Sequence, residues 1–198
     1  MIVHHRINDY RDLKNIPKED AIEIDIRWSY SRGLIVTHDL DDGLNSSFND
    51  WIKYFDHAAL FLNIKESQCE DKIIELYNTR FDFHKWFFLD SQLPDIIRLS
   101  NLGYQDKFIF RYSRNENPLK SLVEKSAPYV WIDDFGYYTP YTNFDKIDGK
   151  IYIYCSPELH KRDDILVNYI NNFETKFGKQ NDSYGICTDY PKIWKLIC

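Results

Sequence analysis

Ala21-Ile22-Glu23-Ile24-Asp25-Ile26-Arg27 decides how this chain is to be read. Isoleucine at every second position makes the stretch a strand, whose side chains alternate between two faces. Glu23 and Asp25 therefore point to one face, inside a run apolar enough to be part buried. Two neighbouring carboxylates repel unless a cation sits between them, so the pair reads as half of a divalent-metal site. Buried carboxylates need a cation or hydrogen-bond donors in any case. His5-Arg6 stands upstream and His38-Asp39 downstream. A metal pair, two histidines and an arginine at the ends of neighbouring strands suit phosphodiester chemistry.

Working outward, short β-rich runs recur along the chain. They cover residues 2–5, 21–27 (continuing at 34–38), 58–65, 85–90, 107–112, 129–133, 150–155 and 184–188. Between them lie helix candidates at 10–16, 48–56, 66–81, 94–102, 119–125, 143–147 and 163–177, with a last short one at 193–197. Strands and helices that alternate in this number predict an α/β protein of the (β/α)8 TIM-barrel type. The runs are continuously apolar, as parallel strands covered by helices should be. An open doubly wound sheet would favour a glycine-rich first turn, and here the first strand ends in His5-Arg6-Ile7-Asn8. At 198 residues the chain sits near the ~200-residue floor of the barrel fold. Some helices must then be shortened, with 119–125 and 143–147 the candidates. The expected organisation is a single domain over residues 1–198.

Composition narrows the function classes. No stretch approaches the roughly 20 apolar residues of a membrane span. The opening Met1-Ile2-Val3-His4-His5 lacks a cationic-then-apolar signal pattern, so a cytoplasmic location is expected. Cys69, Cys155, Cys187 and Cys198 are scattered without ligand spacing and read as reduced thiols. A net charge of −6 argues against a nucleic-acid surface but leaves room for a small anion in a local basic pocket. Short peripheral helices can leave barrel wall uncovered, so the sequence is compatible with a monomer or a homodimer.

In a barrel, function gathers at the carboxyl ends of the strands. Those ends carry His5-Arg6, Glu23-x-Asp25-x-Arg27, His38-Asp39, Asn63-x-Lys65, Asp90-Ser91, Arg111, Asp133-Asp134, Ser156-Pro157-Glu158 and Thr188-Asp189. Each has a plain reading as well. His5 could be an ordinary polar strand end, Glu23 and Asp25 solvated carboxylates, and His38-Asp39 a terminating turn. Lys65 could be a surface lysine at a helix start, although cations are disfavoured there, which points it toward a phosphate. Asp133-Asp134 and Glu158 stand open between helix caps and site residues.

With these residues in order, the chain resembles the glycerophosphodiester phosphodiesterase family, within the phosphatidylinositol-phospholipase-C-like barrels. His5-Arg6 is similar to the family's opening His-Arg, Glu23 and Asp25 to its Glu-x-Asp, and Val36-Thr37-His38-Asp39 to its Val-x-His-Asp. Asn63-Ile64-Lys65 stands where the family has Glu-x-Lys. The stretch from Tyr184 to Pro191 is similar to its closing Asp-Gly-Ile-x-Thr-Asp-Tyr-Pro. The departures are Ile7 in place of the usual glycine, a missing Glu-Asn-Thr segment, Asn63 in place of a carboxylate, and no capping insertion after His38-Asp39. Substrate choice would then fall to the loops, with 28–32 and the aromatic stretch 135–141 as candidates.

The resemblance implies an enzyme of lipid metabolism, a metal-dependent phosphodiesterase acting on a small glycerol- or sugar-linked phosphodiester. It implies His5 and His38 as the acid–base pair and Glu23, Asp25 and Asn63 as ligands of Mg²⁺ or Ca²⁺. An amide oxygen is still a hard ligand, but the set holds one negative charge fewer. Arg6 and Lys65 would bind the substrate phosphate. A cyclising lyase of the same superfamily and a non-catalytic barrel that binds a phosphorylated ligand are the alternatives.

Overall fold

The computed structural model describes residues 1–40, 43–80, 85–178 and 181–196. The chain is α/β, with strands β1 (Ile2–His4), β2 (Ala21–Ser29), β3 (Gly33–Val36), β4 (Ser46–Ser47), β5 (Leu60–Ile64), β6 (Trp86–Leu89), β7 (Phe110–Ser113), β8 (Tyr129–Asp133), β9 (Ile151–Cys155) and β10 (Tyr184–Thr188). Its helices are α1 (Phe48–Trp51), α2 (Cys69–Arg80), α3 (Leu93–Leu99), α4 (Lys120–Lys125), α5 (Leu166–Phe177) and α6 (Pro191–Trp194). Short 3₁₀ turns, such as Tyr10–Asn15 and Pro157–His160, replace helices where the connection is tight. The chain divides into two compact units, His5–Phe108 and Met1–His4 with Ile109–Cys198.

In the unit His5–Phe108, β2 is central. It runs parallel to β5, and β5 runs parallel to β6. The alternation read from the sequence is real, and both faces of the strand are covered: Ile22, Ile24 and Ile26 are fully buried, and Glu23 and Asp25 are 1% exposed. The register sets Asp25 opposite Asn63. Residues 34–38 do not continue β2. They return as β3, antiparallel to it, through a turn that needs the left-handed backbone of Gly33 (φ 77°). That hairpin, extended by β4, is the antiparallel part of the unit.

In the second unit, β1, β10, β9, β8 and β7 lie side by side in that order, all parallel. Tyr154 of β9, Tyr169 and Phe173 of α5 and Trp194 of α6 pack edge-on against one another. Glu158 is a structural acceptor here. It takes the Ser156 and Thr188 hydroxyls and the Asp189 N–H at 3.2 Å, while Trp194 Nε1 donates to Ser156 at 2.9 Å.

The helix expected at 143–147 does not form. Phe144 is instead drawn inward between Tyr112, Tyr141 and Tyr152, with ring centroids 5.1, 5.8 and 5.3 Å away. The Ile147 N–H donates to the Tyr152 hydroxyl at 2.7 Å rather than to a helical carbonyl. The 119–125 helix does form, from Lys120 to Lys125. Phe81, Ile197 and Cys198 lie outside the described residues. Among the described residues, no helix is long and apolar enough to cross a membrane, and Cys69, Cys155 and Cys187 are buried thiols.

Candidate active site

The residues singled out for phosphodiester chemistry all belong to the unit His5–Phe108. Asp25 is their hub. Its Oδ1 lies 3.0 Å from Lys65 Nζ, and its Oδ2 lies 3.4 Å from Arg6 Nε. Asn8 holds it from a third side, donating Nδ2–H to Oδ2 at 2.9 Å and accepting the Asp25 N–H at 3.0 Å. A carboxylate taken out of water needs partners of this kind, and here two are cations.

Glu23 is held less completely. Its Oε2 accepts the Arg6 N–H at 2.7 Å. Its Oε1 and the Asn63 Oδ1 are buried with no hydrogen-bond partner among the described residues. Burial and the neighbouring Asp25 push the Glu23 carboxyl pKa up, while His5, the Arg6 N–H and the Asn63 side chain pull it back. Buried polar atoms are normally paired, so two such oxygens on adjacent strands, beside the Asp25 carboxylate, call for an account.

The turn after β1 is shaped by an unusual residue. Arg6 has φ 52°, a left-handed conformation that is uncommon outside glycine. Ile7, which follows it, does not share this conformation. The Ile7 N–H donates to the Glu23 carbonyl at 2.9 Å and the Asn8 N–H to the Arg6 carbonyl at 2.8 Å. Trp51, fully buried, braces the turn by donating to the Ile7 carbonyl at 3.0 Å. His5 sits half-buried at its start. Gln68, Asp90 and Phe135 are likewise left-handed and lie a few residues past strand ends, whereas the left-handed Lys161 caps the Pro157–His160 turn. Backbone strain of this kind collects at functional positions.

His38 arrives from the hairpin. The Thr37 N–H donates to the Asp25 carbonyl at 3.0 Å, and Arg27 Nε donates to the His38 carbonyl at 2.9 Å. Glu66 fixes Arg27 in turn at 2.8 Å. The imidazole is part exposed, with Nδ1 2.9 Å from Asp39 Oδ1. His38, Arg6 and Asn8 line one open cavity of about 320 Å³, together with Thr37, Asn45 and Ser46. The lining is polar, which suits an alcohol rich in hydroxyls.

The structure thus brings Arg6, Glu23, Asp25, Asn63 and Lys65 into one cluster, with His5 near Glu23 and His38 beside Arg6. Among the described residues no group of three or more His, Cys, Asp or Glu side chains is placed to hold a metal ion; the third donor here is the Asn63 amide. Glu23 Oε1 and Asn63 Oδ1 are hard oxygen donors without a partner among the described residues, the kind a divalent cation takes, whereas both Asp25 oxygens already face Lys65, Arg6 and Asn8. Arg27 stood among the strand-end charges read from the sequence, on the face of Glu23 and Asp25, but its pairing with Glu66 did not, and nothing in the sequence pointed to Asn8 as a supporting residue. No family model, curated protein or solved structure matches the chain.

Proposed function

We propose that the chain is a metal-dependent phosphodiesterase that hydrolyses a small glycerol- or sugar-linked phosphodiester, on a compact (β/α)8 barrel. Support for the barrel comes from eight strands in parallel ladders, five in one unit and three in the other, alternating with helical segments. Support for the chemistry comes from the motif order that resembles the glycerophosphodiester phosphodiesterases. The observation that carries the reading is the Asp25 cluster, in which two cations and two unpartnered buried oxygens surround one carboxylate.

Mg²⁺ or Ca²⁺ held by Glu23, Asp25 and Asn63 would supply Lewis-acid polarisation of a phosphoryl oxygen. Arg6 can grip a phosphoryl oxygen through its planar fork, and Lys65 adds a point charge beside it. Both now neutralise Asp25, and an arriving phosphate would share them. His5 and His38 form the acid–base pair. One takes the proton of the attacking water or neighbouring hydroxyl, and the other protonates the departing alkoxide, so the proton balance closes. Histidine suits both tasks because its ordinary pKa of ~6.5 leaves either form accessible near neutral pH. The Asp39 carboxylate at Nδ1 orients the His38 ring and leaves Nε2 for the reaction.

The test is phosphate-monoester release from a panel of glycerophosphodiesters, with and without EDTA, by the wild type and by His38→Ala. Turnover that needs the cation and falls by about 10²–10⁴-fold in the variant is the expected result. A cyclic phosphate as product would make the enzyme a lyase. No turnover of any diester with Mg²⁺ or Ca²⁺ supplied would overturn the reading.

A further inference from the structure

A second cluster lies in the other unit, at the carboxyl ends of β7, β8 and β9, and the phosphodiesterase mechanism gives none of its residues a catalytic, metal-binding or phosphate-binding role. Asp133 and Asp134 leave β8 in different company. Asp134 accepts the buried Tyr169 hydroxyl at 2.6 Å and the Tyr141 N–H at 2.8 Å; burial pushes its pKa up to about 6. Asp133 accepts His160 Nε2–H at 2.7 Å and the Phe135 N–H at 3.0 Å, and Arg111 stands 3.8 Å from its other oxygen. Burial would raise the Asp133 pKa, but His160, the Phe135 N–H and Arg111 hold it below the usual carboxylate value. The carboxylate is ionised and fixes the imidazole orientation, which is how a working histidine is commonly held.

The loop that follows is laid over this pair. Phe135 and Gly136 are both left-handed, with φ 46° and 76°. Only glycine fits the second position, because a Cβ there would come within 2.7 Å of Arg162 Cγ. This turn sets the Phe135 ring 5.5 Å from the His160 ring and 6.0 Å from Arg111. Arg162 donates to the Gly136 carbonyl at 3.2 Å and lies 5.7 Å over Tyr138; Arg114 lies 4.2 Å over Tyr137. Phe135, Tyr137 and Tyr138 are 42%, 51% and 55% exposed. A packing role would bury these rings, and a strand-end ion pair has no use for a strained phenylalanine beside it.

Three exposed rings are interleaved here with three guanidinium groups and an imidazole, and the cations stand among carboxylates: Arg111 and His160 face Asp133, and Arg162 pairs with Asp164 at 2.9 Å. Inorganic phosphate would use the cations and ignore the rings. A neutral sugar would use the rings and ignore the cations. A planar base that carries a phosphate uses both, since bases stack on aromatic side chains and guanidinium groups alike. We infer that this end of the unit binds a nucleoside monophosphate, with its phosphate on Arg111 and His160 and its base on the Tyr137–Tyr138 rim.

Isothermal titration of the full chain with AMP, adenosine and inorganic phosphate tests this. AMP should bind saturably, and adenosine and phosphate each at least tenfold more weakly. Arg111→Gln should weaken AMP at least tenfold, and Tyr137→Ala at least fivefold. Tyr137 is exposed, so its variant keeps the test alive if loss of Arg111 disturbs folding around Asp133; a thermal melt of each protein checks that. His38→Ala should bind AMP as the wild type does. The inference is overturned by the absence of AMP binding at millimolar concentration, by phosphate binding as tightly as AMP, or by unaltered AMP binding in folded Arg111→Gln and Tyr137→Ala. Loss of AMP binding in His38→Ala would also overturn it, since the nucleotide would then belong to the phosphodiester site.

Discussion

Glu70, in the first turn of α2, is fully buried, and neither of its carboxylate oxygens has a hydrogen-bond partner among the described residues. Burial pushes its pKa up and outweighs the opposing pull of the Ser91 hydroxyl and the backbone, while Asp95 and Asp71 add smaller pushes the same way as burial. A carboxyl that is harder to ionise when folded binds its proton more tightly in the native chain. Its contribution to stability is therefore complete below the unfolded pKa of about 4.3 and is lost as pH rises through the raised folded value. Glu70→Gln keeps the shape and cannot ionise, so it should stabilise the chain at pH 8 by about 1–3 kcal/mol, the usual cost of an unsatisfied buried polar group. At pH 4 the advantage should vanish. Urea denaturation at the two pH values measures this, and a benefit equal at both would show that charge at Glu70 is not the cause. Asn8 illustrates the opposite case, a polar side chain whose amide is matched at both ends by one residue, Asp25.

The strand β10 shows how closely an element can be approached. Gly185 is paired opposite Ile153, and a Cβ on it would stand 2.6 Å from Ile153 Cδ1 and 3.0 Å from the Met1 carbonyl oxygen. That carbonyl accepts the Ile186 N–H at 3.0 Å, so the backbone on one side is tied into the ladder and can yield little. Gly185→Ala should destabilise the fold by about 1–3 kcal/mol, as overpacking does, and lower the thermal midpoint accordingly. A midpoint within error of the wild type would show that β1 shifts freely. The eight runs read as strands were legible because each is a short, strongly apolar segment bounded by polar turns, and periodicity of that strength survives without tertiary information. The hairpin strand at residues 33–36 was legible as extended chain but not in its direction, which the Gly33 turn decides. The 143–147 segment misled because local polarity suggests a surface helix, whereas the long-range attraction of Phe144 to three tyrosines determines its path.

At the scale of the whole molecule, the candidate site was legible because its residues fall at strand ends in a motif order, and alternation along β2 already set Glu23 and Asp25 on one face. Neither the Arg6 turn nor the cluster at His160 could be read that way, since both depend on contacts between segments that are distant in sequence. What the fold does with Glu23 and Asn63 sets function against stability. Two buried oxygens without partners among the described residues cost stability, and a bound cation would remove that cost. A ligand that binds only the native state stabilises by about 2.7 kcal/mol at a hundredfold excess over its Kd, which for a chain of this size raises the thermal midpoint by roughly 5–10 °C. Mg²⁺ or Ca²⁺ should therefore raise the wild-type midpoint saturably. In Glu23→Gln the charge is gone but the volume stays, so the variant should melt no lower than the wild type in EDTA and gain little from either cation. Scanning calorimetry of both proteins, in EDTA and across a cation series, separates the outcomes. Equal gains in the two would place the cation elsewhere on the chain. A variant that melts far below the wild type in EDTA would mean that Glu23 is held by its contacts with the Arg6 turn and serves the fold rather than a metal.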